Sequence, residues 1–201
     1  MGGLNGRCEF EALLDAAKRL HVEAPELRGF CDWPNDLSWA DLPGKRIPAA
    51  ALVEGWEEEG SGLVTELHRA IRRVVPHADW RRTYTEAEVG AHFLANYGYF
   101  ELFGPKGHFL SSEARGYVGF WGPGLDYDWH GHEAEEIYFV VAGGALFRAE
   151  GADDEYVAKD GSRRHKPWQR HAMSTRHEAV LTFVLWKGAG LDGVPAMTGR
   201  D

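Results

Sequence analysis

Glu136 stands at the head of an almost continuously apolar run, Ile137–Ala142. A carboxylate entering a strand buried on both faces must find a partner, because burying it unpaired costs several kcal/mol. His130 and His132 precede it and Tyr138 follows it, all at even positions. On extended backbone, residues of the same parity share one face. A turn over Glu133–Glu135 is expected to lay the two strands side by side, so that two imidazoles and a carboxylate converge. Two histidines and a carboxylate suit a first-row transition metal with open coordination positions, and Fe, Zn, Mn, Ni and Co are all compatible. A distant third imidazole is then expected. His171 fits best, since it follows Gly161 and Pro167 in a polar segment just before the last apolar strand. His108, His165 and His177 are read as ordinary satisfied or solvated residues.

The rest of the chain divides into two halves around this feature. Up to about residue 100 the pattern is helical. Phe10, Leu13, Leu14, Ala17 and Leu20 recur at helical spacing, as do Leu63, Leu67, Ala70, Ile71 and Val74. Pro25, Pro34, Pro43 and Pro48 interrupt the helices. Thr85 with Glu88 has the spacing of a capping box and opens a third helix through about Asn96. From about Ala114, short β-rich segments (116–121, 136–141, 145–149 and 179–186) alternate with turn signals. Those signals are Gly122-Pro123-Gly124, Gly143-Gly144, Asp153-Asp154 and Asp160-Gly161. The expected fold is mainly β, with a helical N-terminal region (1–100) packed on a barrel (101–201) that carries the metal site.

Composition narrows the partners. Lys and Arg number 22 against 31 Asp and Glu, a net charge of −9, with no basic block. Neither nucleic acid nor an anionic membrane is an expected partner. No apolar run approaches the roughly 18–20 residues that span a bilayer, and Met1–Phe10 lacks a secretion signal's pattern. Cys8 and Cys31 are too few for a disulfide framework, so two free thiols in a cytoplasmic setting are expected. Eight Trp, seven Tyr and ten His exceed what a plain core needs and suit a pocket for a small polar or cationic ligand. The apolar stripes of the helices would cover the barrel or a second subunit, as in a homodimer.

Gly124, five residues, His130-x-His132, three residues, Glu136, six residues, Gly143 resembles the first cupin motif without a mismatch. The second motif is matched less closely. Gly161, five residues and Pro167 fit, but the inner glycine is absent and His171 arrives one residue early. The finer resemblance is to the cupin-type dimethylsulfoniopropionate lyases of marine bacteria. It rests on the N-terminal helical region, Tyr138 after the motif glutamate, Tyr127-Asp128-Trp129, and the segment Pro167-Trp168-Gln169-Arg170-His171-Ala172-Met173. The resemblance implies a single cupin barrel and a metal-dependent β-elimination that yields dimethyl sulfide and acrylate. It implies His132, Glu136 and His171 as ligands, with His130 added from the general cupin pattern. It also implies Tyr138 as general base and Tyr127 as a second active-site tyrosine. The substrate implied is a small zwitterionic sulfonium carboxylate, whose cation would rest on aromatic faces. Trp129, Trp121, Tyr97 and Tyr99 are the candidates for that pocket. Two alternatives stay open at this level: another metal cupin such as an Fe(II) dioxygenase, and a non-catalytic cupin that senses a small ligand.

Overall fold

The computed structural model describes residues 3–199. Its helices are α1 (Gly3–Glu23), α2 (Pro25–Arg28), α3 (Pro48–Gly55), α4 (Leu63–Val74) and α5 (Glu86–Asn96). The periodic residues of α1 (Phe10, Leu13, Ala17, Leu20) are buried and pack on α4, which buries Val64, Leu67, Ile71 and Val74. Pro25 and Pro48 stand in the first turns of α2 and α3, where a missing N–H costs nothing. The Thr85–Glu88 capping box opens α5, with the Thr85 N–H donating to Glu88 Oε2 at 2.7 Å. Cys8 and Cys31 are both free thiols. None of the described helices is long and apolar enough to cross a membrane.

The strands are β1 (Ser38–Trp39), β2 (Tyr97–Gly104), β3 (Phe109–Leu110), β4 (Arg115–Trp121), β5 (Asp126–Gly131), β6 (Glu135–Ala149), β7 (Glu155–Ala158), β8 (Ser162–His165), β9 (His171–Ser174), β10 (Val180–Lys187) and β11 (Ala196–Met197). They pair in the order β1-β3-β2-β4-β10-β6-β9-β5-β11, with β7 and β8 also on β6. Apart from the parallel β2–β3 contact the pairings are antiparallel, and the sheet wraps as a double-stranded β-helix, the cupin barrel. The β2 strand begins inside the region expected to be helical, and β1 lies well within it.

Alternation along the strands separates two cores. Phe100 and Leu102 on β2, Val118 and Phe120 on β4, Ile137, Phe139 and Val141 on β6, and Leu181, Phe183 and Leu185 on β10 face the helices. Their neighbours Tyr97, Tyr117, Trp121, Tyr138, Val140, Val184 and Trp186 face into the barrel. The period of two therefore assigns apolar residues to the helix layer and aromatic residues to the interior. Gly119 stands among those interior positions because a Cβ there would lie 2.6 Å from the Trp121 ring.

Two expectations are corrected. Gly143-Gly144 is not a turn, because β6 runs through both residues. Gly143 has φ 67°, and a Cβ there would strike the Ala179 carbonyl and the Trp56 ring, while one at Gly144 would strike Tyr156. These glycines mark close approach of neighbouring chain rather than a reversal. Likewise β5 and β6 do not lie side by side. The β9 strand is inserted between them, because the barrel closes by long-range pairing rather than by a local hairpin.

Of the buried histidines in the helix-facing half, His21, His68 and His108, burial shifts the last two furthest. His108 lies face to face with Phe10 at 3.8 Å and accepts the Asp79 N–H at Nε2, 3.2 Å. His68 packs edge-on against Trp56 at 5.8 Å. Burial pushes each pKa down to about 4. Between about pH 6.5 and 4 the unfolded chain therefore binds protons that the native state refuses. Stability is complete above the unfolded value and falls as pH drops through this window, by up to about 1.4 kcal/mol per pH unit for each imidazole. Denaturant midpoints should thus drop from pH 7 to pH 5, and His108→Gln should flatten the slope. An equal slope in that variant would exclude His108 as a source.

Candidate metal centre and aromatic chamber

His130 on β5 and His171 on β9 are directly paired across the ladder, so their side chains leave the same face of adjacent strands. Glu136 is the second residue of β6 and pairs with Trp186 on β10 and His165 on β8. His132 follows β5 and reaches the same point. The Nε2 atoms of His132 and His171 stand 3.1 and 3.2 Å from Glu136 Oε2. The three donors lie within 4.8 Å of one another, all buried. His130 stands beside them, its ring 4.1 Å from that of His171.

Each of these imidazoles is oriented from behind. His130 Nδ1 bonds the Asp128 carbonyl (2.8 Å), His132 Nδ1 that of Ala134 (2.9 Å), and His171 Nδ1 that of Gln169 (2.8 Å). A carbonyl can only accept, so every Nδ1 carries the hydrogen and a neutral ring presents a bare Nε2 inward. The Nε2 atoms of His130 and His171 have no hydrogen-bond partner. Lone pairs thus converge on a carboxylate oxygen in a buried space, an arrangement that calls for positive charge between them. The donor set and its backbone-held tautomers fit a divalent transition metal.

Glu136 is fully buried and both oxygens are engaged. Oε1 accepts from the Tyr117 hydroxyl at 2.8 Å and from Trp186 Nε1 at 2.7 Å. Burial alone would raise its pKa, but the His132 and His171 imidazoles that face it outweigh that and hold it well below the usual carboxylate range. Burial drives His130 well below the ordinary imidazole value. Trp186 stacks on His132 at 4.2 Å, and Tyr127 stacks on His130 at 3.9 Å.

His165 is neither satisfied nor solvated, contrary to expectation. It is buried, neither ring nitrogen has a hydrogen-bond partner, and it lies flat on His171 at 4.0 Å. Burial pushes its pKa down to about 2. The strand pairing of β8 with β6 carries it there, which no local pattern discloses.

Beside the His–Glu–His cluster lies a chamber lined by seven aromatic side chains: Tyr97, Tyr99, Tyr117, Trp121, Tyr127, Tyr138 and Trp186. Thr83, Arg115, Val194 and Pro195 complete its wall. Tyr97, Tyr99 and Trp121 line it, but Trp129 does not. The register of β5 on β9 shifts between Tyr127 and His130, which both face inward, while Trp129 between them has Arg170 5.8 Å from its ring. Tyr138 is buried beside Trp121 and His165. Burial and the Glu136 charge raise its pKa well above 10, and burial does the same for Tyr127.

Sequence reading missed Tyr84, Arg115, Tyr117 and Trp186. The last three were accessible by parity once β4 and β10 were set beside β6. Tyr84 was not, because a loop before α5 delivers it, and its hydroxyl meets that of Tyr127 at 2.7 Å. The N-terminal half therefore contributes to the site's surroundings as well as to the core. Each hydroxyl would be left unpaired by removal of the other, at about 1–2 kcal/mol. Tyr84→Phe and Tyr127→Phe should consequently be less than additive in the double variant, with a coupling of about 1 kcal/mol by urea unfolding. Strict additivity would mean that the bond contributes nothing.

A profile of the dimethylsulfoniopropionate lyase family matches residues 33–182. The dimethylsulfoniopropionate lyase DddQ of Ruegeria pomeroyi is 34% identical over 193 residues, 94% of each chain. The crystal structure of DddQ from the same organism superposes with a TM-score of 0.89 at 32% identity, covering 96% of this chain and 99% of that one. A chain from the crystal structures of the DMSP lyases RdDddP and RnDddQII superposes with a TM-score of 0.92 at 45% identity, covering 96% and 100%. By family profile, identity and superposition over almost its whole length, this chain belongs to the dimethylsulfoniopropionate lyase family.

Proposed function

We propose that the protein cleaves dimethylsulfoniopropionate to dimethyl sulfide and acrylate in the aromatic chamber, by a β-elimination assisted by a divalent metal. The observation that carries this reading is the pairing of an inward-facing His–Glu–His cluster with a chamber walled by aromatic rings, in a chain of this family. His132, Glu136 and His171, with His130 beside them, would hold the metal. Bound there, it would supply the positive charge that offsets a substrate carboxylate and favours a phenolate nearby.

The chain's own groups account for the rest. The proton to be removed lies α to the carboxylate. Tyr138, two residues beyond Glu136 on the barrel-facing side of β6, is our candidate base. As it takes that proton, the C–H electrons form the new double bond, and the C–S pair leaves with sulfur. Sulfur departs as neutral dimethyl sulfide and needs no acid. The sulfonium rests on aromatic faces such as Tyr97, Tyr99 and Trp121, each worth roughly 0.5–2 kcal/mol. Tyr127 is the second active-site tyrosine, fixed by its bond to Tyr84 and its stack on His130. Burial excludes water from the developing carbanion.

Dimethyl sulfide should appear in the headspace over purified protein supplied with dimethylsulfoniopropionate and divalent metal. Tyr138→Phe keeps the ring that packs against Trp121 and should lose about 10²–10⁴-fold in turnover while retaining metal. Near-normal turnover in that variant would remove Tyr138 as the base. If Tyr127→Phe were the inactive one instead, the role would pass to Tyr127.

The metal reading has its own test. His132→Ala and His171→Ala should each lose most bound metal, by elemental analysis, while circular dichroism shows the barrel intact. Trp186→Phe and Tyr117→Phe, which take donors from Glu136, should weaken metal binding about 10–100-fold. Full metal content in both histidine variants would move the site elsewhere.

A further inference from the structure

The chamber encloses only about 20 Å³. That is room for about one water, whereas pockets for small molecules usually run to about 300 Å³ or more. A wall must therefore move before any substrate enters. Most of the wall is fixed. Its aromatic rings project from paired strands, and Thr83 is tied to the Tyr97 hydroxyl at 3.0 Å. The exception is the outer wall, Val194 and Pro195, which belongs to the irregular segment 188–195 between β10 and β11.

Successive carbonyls of this segment are held by two cationic side chains. Arg115 Nη1 donates to Leu191 O at 3.4 Å and to Gly193 O at 3.0 Å, and Lys106 Nζ donates to Asp192 O at 3.3 Å. Gly188 and Gly190 at its start have φ of 85° and 73°, a backbone region open to glycine, and Val194 is 61% exposed. Arg115 is itself anchored on the barrel side. Its Nε stands 3.0 Å from Glu101 Oε2, both residues are buried, and its guanidinium lies 4.8 Å from the centre of the Trp186 ring.

We propose that Arg115 is a positioning residue for the elimination: it latches segment 188–195 as the movable outer wall that opens to admit substrate and closes the chamber around it. The assignment rests on the chamber being the substrate site. The side chain suits the task because a guanidinium presents several donors in a rigid fork. One edge stays with Glu101 while another reaches the carbonyls, which a lysine ammonium cannot reproduce. The latch holds backbone oxygens, not side chains, so it can release and reform without rearranging either core.

The test uses the metal-loaded full chain. Arg115→Lys keeps the charge opposite Glu101 but loses the fork. Amide hydrogen exchange in 189–195 should rise about tenfold or more, with exchange in β4 and β10 unchanged and metal content retained. KM for dimethylsulfoniopropionate should rise about tenfold, with a smaller change in kcat. Lys106→Ala, which lies outside the chamber, should raise exchange in the same segment by a few-fold, and it carries the test if Arg115→Lys does not fold. Unchanged exchange in 189–195 in both variants would overturn the latch. So would loss of metal or faster exchange throughout β4 and β10 in a folded Arg115→Lys, which would make Arg115 a support for Trp186 and Glu136 instead. The exchange measurements need no turnover. Absence of dimethyl sulfide from the wild-type protein would therefore count against the substrate, while the exchange data still decide on the latch.

Discussion

Burying the Glu136 carboxylate is the demand that organises the barrel interior. Left alone it would cost several kcal/mol. Tyr117 and Trp186 fill one oxygen, and His132 and His171 face the other. These partners come from β4, β10, the end of β5 and β9, so one charge draws donors from most of the barrel wall. Each imidazole in turn spends its Nδ1 hydrogen on a backbone carbonyl within two residues of itself. The local carbonyl fixes the tautomer, and the tautomer leaves Nε2 facing inward. Backbone geometry, rather than side-chain packing alone, thereby determines which nitrogen is available for chemistry.

Much of this was legible in the sequence because a strand's period is local. His130 and Glu136 emerge on the same inner side, but parity does not sort Tyr127 from Trp129, because the β5 register shifts before His130 and only Tyr127 lines the chamber. The capping box at Thr85 and the stripes of α1 and α4 are local as well. What escaped reading was long-range. Gly143-Gly144 looks like a turn, but Ala179, Trp56 and Tyr156 press on that stretch of β6 from distant elements. A hairpin between β5 and β6 is the simplest local solution, yet β9 intervenes and is what brings His171 opposite His130. His165 and Tyr84 were missed for the same reason, since strand pairing delivers one and loop packing the other.

The division into two cores separates stability from chemistry along the same strands. On β6, Ile137, Phe139 and Val141 face the helices while Glu136, Tyr138 and Val140 face inward. The helix layer buries the apolar residues, so the interior is free to be aromatic and polar. An aromatic interior has its own limit, because hydroxyls and indole N–H groups must be bonded when buried. The Tyr84–Tyr127, Thr83–Tyr97 and Tyr117–Glu136 contacts meet that need for these rings and fix them at the same time, whereas the buried Trp121 Nε1 has no partner.

No carboxylate lines the chamber wall among the described residues, and this bears on what it could do with a cation. Glu101 is paired with Arg115, and Glu136 faces His132 and His171 and is bonded by Tyr117 and Trp186. On the proposed reading, a sulfonium in the chamber would meet ring faces rather than a counter-ion. For an elimination that difference matters, because the sulfonium is neutral once the C–S bond has broken. A carboxylate beside it would stabilise the charged ground state by several kcal/mol and lose that stabilisation as the bond breaks, raising the barrier. Ring faces, at roughly 0.5–2 kcal/mol each, hold the cation in place with much less to lose. They would also bind a neutral sulfide only by dispersion, so on this reading the product would be released by the same change in charge that completes the reaction.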